Sequence, residues 1–170
     1  MNGLDLGSLV LRVAIAIVMI AHGWNHAFRG GRIPGTARWF ESIGIRPGKV
    51  HALLATGTEL VAAPMLALGF LTPLAAAMVV GTMGVALVTN HIKVGFFVFK
   101  RPTEGYEYVL TLILVSAALG ALGGGRASID NALGIADNLQ GALGLVVAAG
   151  VGALGTAAVL VTSWRKPAAA

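Results

Sequence analysis

Two histidines one helical turn apart, His22 and His26, and one isolated glutamate, Glu59, are the residues best suited to proton chemistry in this chain. On a helix the i, i+4 spacing puts both imidazoles on one face. Imidazole changes charge near neutral pH, and a carboxylate beside it completes an acid–base pair. Glu59 lies inside an apolar stretch, about 12 Å from its inner boundary at about 1.5 Å per residue. Its side chain is too short to reach water from that depth, so it must be paired, protonated or facing a wet cavity. If the two stretches run antiparallel, His22 and Glu59 fall at similar depth, which makes them the candidate proton donors.

Further polar residues gather on the same side. His91 ends a later apolar stretch, and Glu104 and Glu107 open the next; with His26 and Arg12 they form a candidate substrate-binding set. Each has a plain structural use as well. Acids suit a helix N-terminus through the macrodipole, and histidines meet headgroups. Arg12 lies about 9 Å into the first stretch at about 1.5 Å per residue; it either reaches the outer boundary along its own stem or is buried against a carboxylate.

Other chemistries find less support. His22, His26 and Glu59 could ligate a metal, but no HExxH or ExxH element accompanies them, and no metal is assigned. Axial haem ligation by His22 and His91 fails on depth. Cysteine is absent, which excludes disulfides, thiol redox chemistry and cysteine-held clusters. There is no phosphate loop, dinucleotide fingerprint or nucleophile elbow, and Gly123-Gly124-Gly125 reads as a helix stop.

The elements that must position these residues are membrane helices. Hydrophobic residues make up 56% of the 170-residue chain and charged ones 11%, with a mean hydropathy of +0.83. A soluble domain of this size has too little interior to hide so much apolar surface. The prediction is an all-α bundle forming a single membrane domain over 1–170: a four-helix core plus a fifth C-terminal helix. The spans fall at about 6–28, 51–71, 73–92, 104–122 and 139–164. The first span has no basic residues ahead of it, so it is expected to be retained rather than cleaved.

Charge then orients the bundle. The net charge of +5 comes from basic residues placed between the spans, which speaks for topology and not for nucleic acid. Arg29, Arg32, Arg38, Arg46, Lys49, Lys93, Lys100, Arg101, Arg165 and Lys166 fall on one side, against Arg126 on the other. The positive-inside rule predicts a multi-pass cell-membrane protein with its N-terminus outside and its C-terminus in the cytoplasm. Between spans one and two, residues 35–46 read as a short amphipathic helix on the inner surface, with Arg38 and Trp39 at headgroup depth. In the last span Ala148, Gly152 and Thr156 recur every four residues. That smooth face suits packing within the bundle first and a homo-oligomer contact second.

Several short motifs, taken in order, resemble the DoxX family of small bacterial membrane proteins. They are Leu11-Arg12, Ala21-His22-Gly23, Trp39-Phe40 with Gly44, Glu59, Leu68-Gly69-Phe70-Leu71-Thr72 and Glu104-Gly105-Tyr106-Glu107. Where the family commonly has a lysine three residues after the His-Gly pair, this chain has His26. The resemblance covers about residues 6–125 and implies a small subunit of a membrane oxidoreductase system, of the thiosulfate:quinone oxidoreductase kind, with quinone as the implied cofactor and a redox protein of the cytoplasm or membrane as partner. The leading expectation is therefore a quinone-linked subunit with a polar site near the cytoplasmic face. The alternatives are a non-enzymatic scaffold that docks a soluble redox or stress-response enzyme through its basic loop, and a transporter of small solutes or lipids.

Overall fold

A computed structural model describes residues 1–99 and 104–167; Lys100 and Arg101, counted above among the basic residues, lie outside it. The described elements are helices, apart from one isolated bridge between Ile45 and Trp164. Helix α1 (Gly3–Phe28) starts from a capping box, in which Asn2 and Asp5 bond each other's backbone amides. Then come α2 (Arg32–Ser42), α3 (Gly48–Leu68) and α4 (Thr72–Val94), the last widening into a π-turn over Leu87–His91. Next are α5 (Glu107–Leu122), a single turn α6 (Ile129–Ala132) and α7 (Gly141–Ser163).

Helices α1, α3, α4 and α7 are long and apolar enough to cross a membrane. The span expected at about 104–122 is shorter than that. As α5 it has 16 residues and a length of about 24 Å, against about 30 Å of hydrocarbon core. It starts late because residues 95–97 fold back over its beginning. Gly105 N donates to Phe97 O (3.2 Å), Tyr106 N to Gly95 O (3.0 Å) and Glu107 N to Phe96 O (2.9 Å), so these amides are bonded outside the helix. The amphipathic helix is also displaced from 35–46 to Arg32–Ser42. Pro34 is tolerated in a first turn, and Gly44 takes a φ of +94°, which stops the helix before Arg46.

The five longer helices alternate between two ends of the bundle. At one end lie Arg29–Lys49, Lys93 and the C-terminus of α7, where Arg46 N donates to Ser163 O (2.9 Å) and Arg165 N to Gly44 O (2.8 Å); this is the basic end. At the other, Ser8 Oγ on α1 donates to Gly123 O beyond α5 (2.6 Å). The core between them is built from Ile15, Met19, Leu66, Val79, Met83 and Leu119.

Helix α7 uses its small-residue face inside the chain. Ala148 is fully buried, Gly152 faces Val80, and Thr156 Oγ1 donates to Gly81 O of α4 (3.1 Å). The closest approach is at Gly144, where a Cβ would stand 2.1 Å from Gly120 O. A backbone oxygen cannot swing aside, so Gly144→Ala is expected to lower stability by about 1–3 kcal/mol. Thermal unfolding in detergent checks this, and an unchanged midpoint would rule out the tight α5–α7 contact.

The far end from the basic loops is held by two buried charges. Arg12 is 0% exposed. Its guanidinium donates to Leu66 O and Ala67 O (both 3.4 Å), carbonyls in the last turn of α3, and to Ala127 O (2.6 Å). Asp130, also 0% exposed, accepts from Leu71 N (2.6 Å), Thr72 N (2.9 Å) and Thr72 Oγ1 (2.7 Å). It thus caps α4 from 58 residues away. Arg12 and Asp130 clamp the α3–α4 turn from either side, and Gly69 sits where any Cβ would strike the guanidinium.

Candidate functional site

A cavity of about 360 Å³ opens along the bundle, and all four histidines, His22, His26, His51 and His91, line its part toward the basic end. Its size falls within the range of about 300–1,000 Å³ usual for small-molecule sites. The walls are mostly apolar, with Trp39 and Phe40 of α2, Met78 and Met83 of α4, and Gly152 and Val159 of α7 among them.

The polar centre depends on how closely α1 and α3 approach. Gly23 lies between the two α1 histidines, and a Cβ there would meet Leu60 at 2.8 Å and the Glu59 Cβ at 3.3 Å. Lacking one, α1 brings His26 Nδ1 to 3.0 Å from Glu59 Oε2. The contact lies off the line of a ring N–H···O bond, and both atoms are buried without a hydrogen-bond partner. Glu59 is 1% exposed. The imidazole beside it is therefore that of His26, while His22 stands one turn back with its ring centroid 6.5 Å from that of His26. Phe40 covers the His26 ring edge-on at 6.2 Å.

A second polar group faces the same space. His91, placed by the π-turn of α4, has Nδ1 2.9 Å from Glu104 O. A carbonyl only accepts, so Nδ1 carries the proton, and in the neutral ring Nε2 accepts from Tyr108 Oη at 3.0 Å. Tyr108 also lines the cavity.

The remaining candidates lie elsewhere. Arg12 belongs to the clamp at the opposite end and does not line the cavity. Glu104 takes part through its carbonyl, with an exposed side chain. The Glu107 carboxylate accepts from Val98 N (3.2 Å), within the turn that opens α5. Arg38 is exposed, whereas Trp39 lies at the cavity wall.

A family model described as DoxX matches residues 7–92, half of the chain, and so takes in Arg12, His22, His26, Glu59 and His91 together. The chain belongs to the DoxX family. No curated protein and no solved structure matches it. In this DoxX protein the matched half supplies the histidines and the carboxylate. Tyr108 and the α7 wall lie beyond it.

Three residues of this DoxX protein escaped sequence reasoning. Tyr108 looks like an ordinary aromatic in a first helical turn. Asp130 follows Ser128 in a polar loop and reads as a local cap; only its bonds to residues 71 and 72 reveal its use. His51 reads as a headgroup contact. The one available signal was compositional, since this chain of four histidines places each of them toward the same end.

Proposed function

We propose that this DoxX protein holds a membrane quinone in the histidine-lined cavity and serves as the membrane subunit of a quinone-linked oxidoreductase complex. The observation that carries this reading is the unsatisfied pair, His26 Nδ1 and Glu59 Oε2, buried at the edge of an apolar cavity. Buried polar atoms are nearly always bonded, so a pair in contact but off the line of a hydrogen bond leaves bonding capacity for a third group beside it. A quinone fits: a flat apolar ring for Trp39 and Phe40 to cover, with carbonyl oxygens for an imidazole N–H. When bound, it takes up two electrons and two protons.

The chain's own residues bind the ring, exclude water and hold protons. His26 donates to a carbonyl oxygen and Glu59 resupplies His26. His51 lines the cavity between that pair and the basic end, His22 lines it one turn deeper, and His91 with Tyr108 offers a second donor. The electrons come from a protein docked at the basic end, where Phe96, Phe97 and Phe99 are exposed beside Lys93. In this reading the chain forms a single membrane domain crossing the bilayer five times, α5 included, with the basic end cytoplasmic and the N-terminus outside.

Trp39 provides the test. In lipid nanodiscs, tail-less 2,3-dimethoxy-5-methyl-1,4-benzoquinone is expected to quench tryptophan fluorescence saturably, and Trp39→Phe to remove the saturable component. Quenching that never saturates, or is the same without Trp39, would refute a quinone site here.

A further inference from the structure

We propose that the cavity is entered sideways from the bilayer, between α3 and α7, and that this gap holds the chain of a tailed ligand. The inference rests on the quinone reading above and narrows its substrate to long-chain quinones that live in the membrane.

Helices α3 and α7 both pack on α4, and among the described residues neither packs extensively along the other. The space left between them is the apolar arm of the cavity. Leu54 of α3, Leu74 of α4 and Val151 of α7 line it, yet they are 56%, 41% and 46% exposed. Residues that both line a cavity and face outward mark its mouth. This mouth lies on the flank of the bundle, beside α3, α4 and α7, three of the helices apolar enough to cross a membrane.

Polarity is graded along the arm. At the mouth the side chains are hydrocarbon, and the Thr82 hydroxyl nearby is bonded back to Met78 O (2.9 Å). The groups free to bond a ligand, His26 and Glu59, lie deeper. A polar head with a long apolar tail matches that gradient, head inward and tail out. The cavity, about 360 Å³, is near the lower bound of about 300 Å³ for ligand sites. A long chain therefore has to leave through the mouth.

The far side of the cleft is latched. At the basic end Trp164 Nε1 donates to Ile43 O (3.0 Å) and Ile45 bridges to Trp164, tying α7 to the α2–α3 link. The latch braces the basic end of the gap, where Trp39 also lines the cavity and is 44% exposed, and leaves the hydrocarbon-lined side between α3 and α7 open. Gly155 keeps it wide: it lines the cavity, and a Cβ there meets nothing within 4 Å.

That free space makes Gly155→Phe a plug that fills the arm without disturbing packing, and the change also favours a helix interior. Gly57→Phe is the control, since a Cβ at Gly57 likewise meets nothing within 4 Å and Gly57 lies outside the cavity. Dissociation constants are measured in nanodiscs from Trp39 quenching by decylubiquinone and by its tail-less parent ring. Expressed as variant over wild type, lipid partitioning cancels. Gly155→Phe is expected to weaken decylubiquinone about tenfold or more, by overpacking against its chain, while the tail-less ring changes less than about twofold and Gly57→Phe changes neither.

Equal weakening of both ligands by Gly155→Phe would overturn the inference by placing the ring itself at Gly155. No change in either would overturn it by leaving the arm without a role. If wild type retains a phospholipid that Gly155→Phe loses, and decylubiquinone is unaffected, the arm belongs to a bilayer lipid and the inference fails. Failure of the tail-less ring to bind wild type at all is a different result: it removes the quinone reading, and this inference with it.

Discussion

Asp130→Ala is expected to lower the stability of the protein by about 3–5 kcal/mol, as much as breaking a buried ion pair. The carboxylate takes three hydrogen bonds, from Leu71 N, Thr72 N and Thr72 Oγ1. Bonds to a charged group contribute about 1.5–3 kcal/mol each, and partial relaxation of the turn keeps the loss below their sum. Alanine leaves two amides at the start of α4 without an acceptor, because Leu71, in the N-cap position, has no capping side chain. It also removes the carboxylate that acts on the buried Arg12 guanidinium. Asp130→Asn keeps an acceptor oxygen and should cost clearly less. Thermal or denaturant unfolding in detergent micelles measures both. If Asp130→Ala unfolds at the wild-type midpoint, the clamp is not what holds the α3–α4 turn. Below the transition, Trp39 quenching by quinone should survive in this variant, because the clamp and the cavity occupy opposite ends of the bundle.

Glu59→Gln should give the reverse pattern: a folded protein with its chemistry gone. Gln matches Glu in shape and can still pack against His26, so unfolding should shift little. It cannot hold or release a proton. Positioned proton transfer contributes about 10²–10⁴-fold to a rate, and quinone-dependent turnover of the complex, extracted from native membranes in mild detergent, should fall by about that factor. Wild-type turnover in the Gln variant would defeat the role given to the His26–Glu59 pair, even if a quinone occupied the cavity. A matching collapse in stability would assign Glu59 to the scaffold instead. Together the two variants separate the end that holds the helices from the end that meets the ligand.

What could be read from the residues follows from the cost of apolar surface in water and of charge in lipid. Both are local and additive enough to be seen in a chain. Runs of apolar residues marked the helices to within a few positions, and the small-residue spacing of Ala148, Gly152 and Thr156 marked a close-packing face. The depth of Glu59 announced that it needed company. The DoxX pattern was legible in the same way, as an order of short motifs.

Tertiary structure decided the partners. Glu59 meets His26, not His22, because rotation of α1 against α3 is set by the contact at Gly23, and a turn of difference leaves no trace in hydropathy. Arg12 went to the opposite end from the histidines because the last carbonyls of α3 and the carboxylate of Asp130 lie there, and sequence distance does not report that meeting. The cavity, its His91–Tyr108 side and its α7 wall exist only once five helices are packed. Hydrophobicity decides which residues leave water, while shape and hydrogen bonding among residues far apart in the chain decide which of them touch.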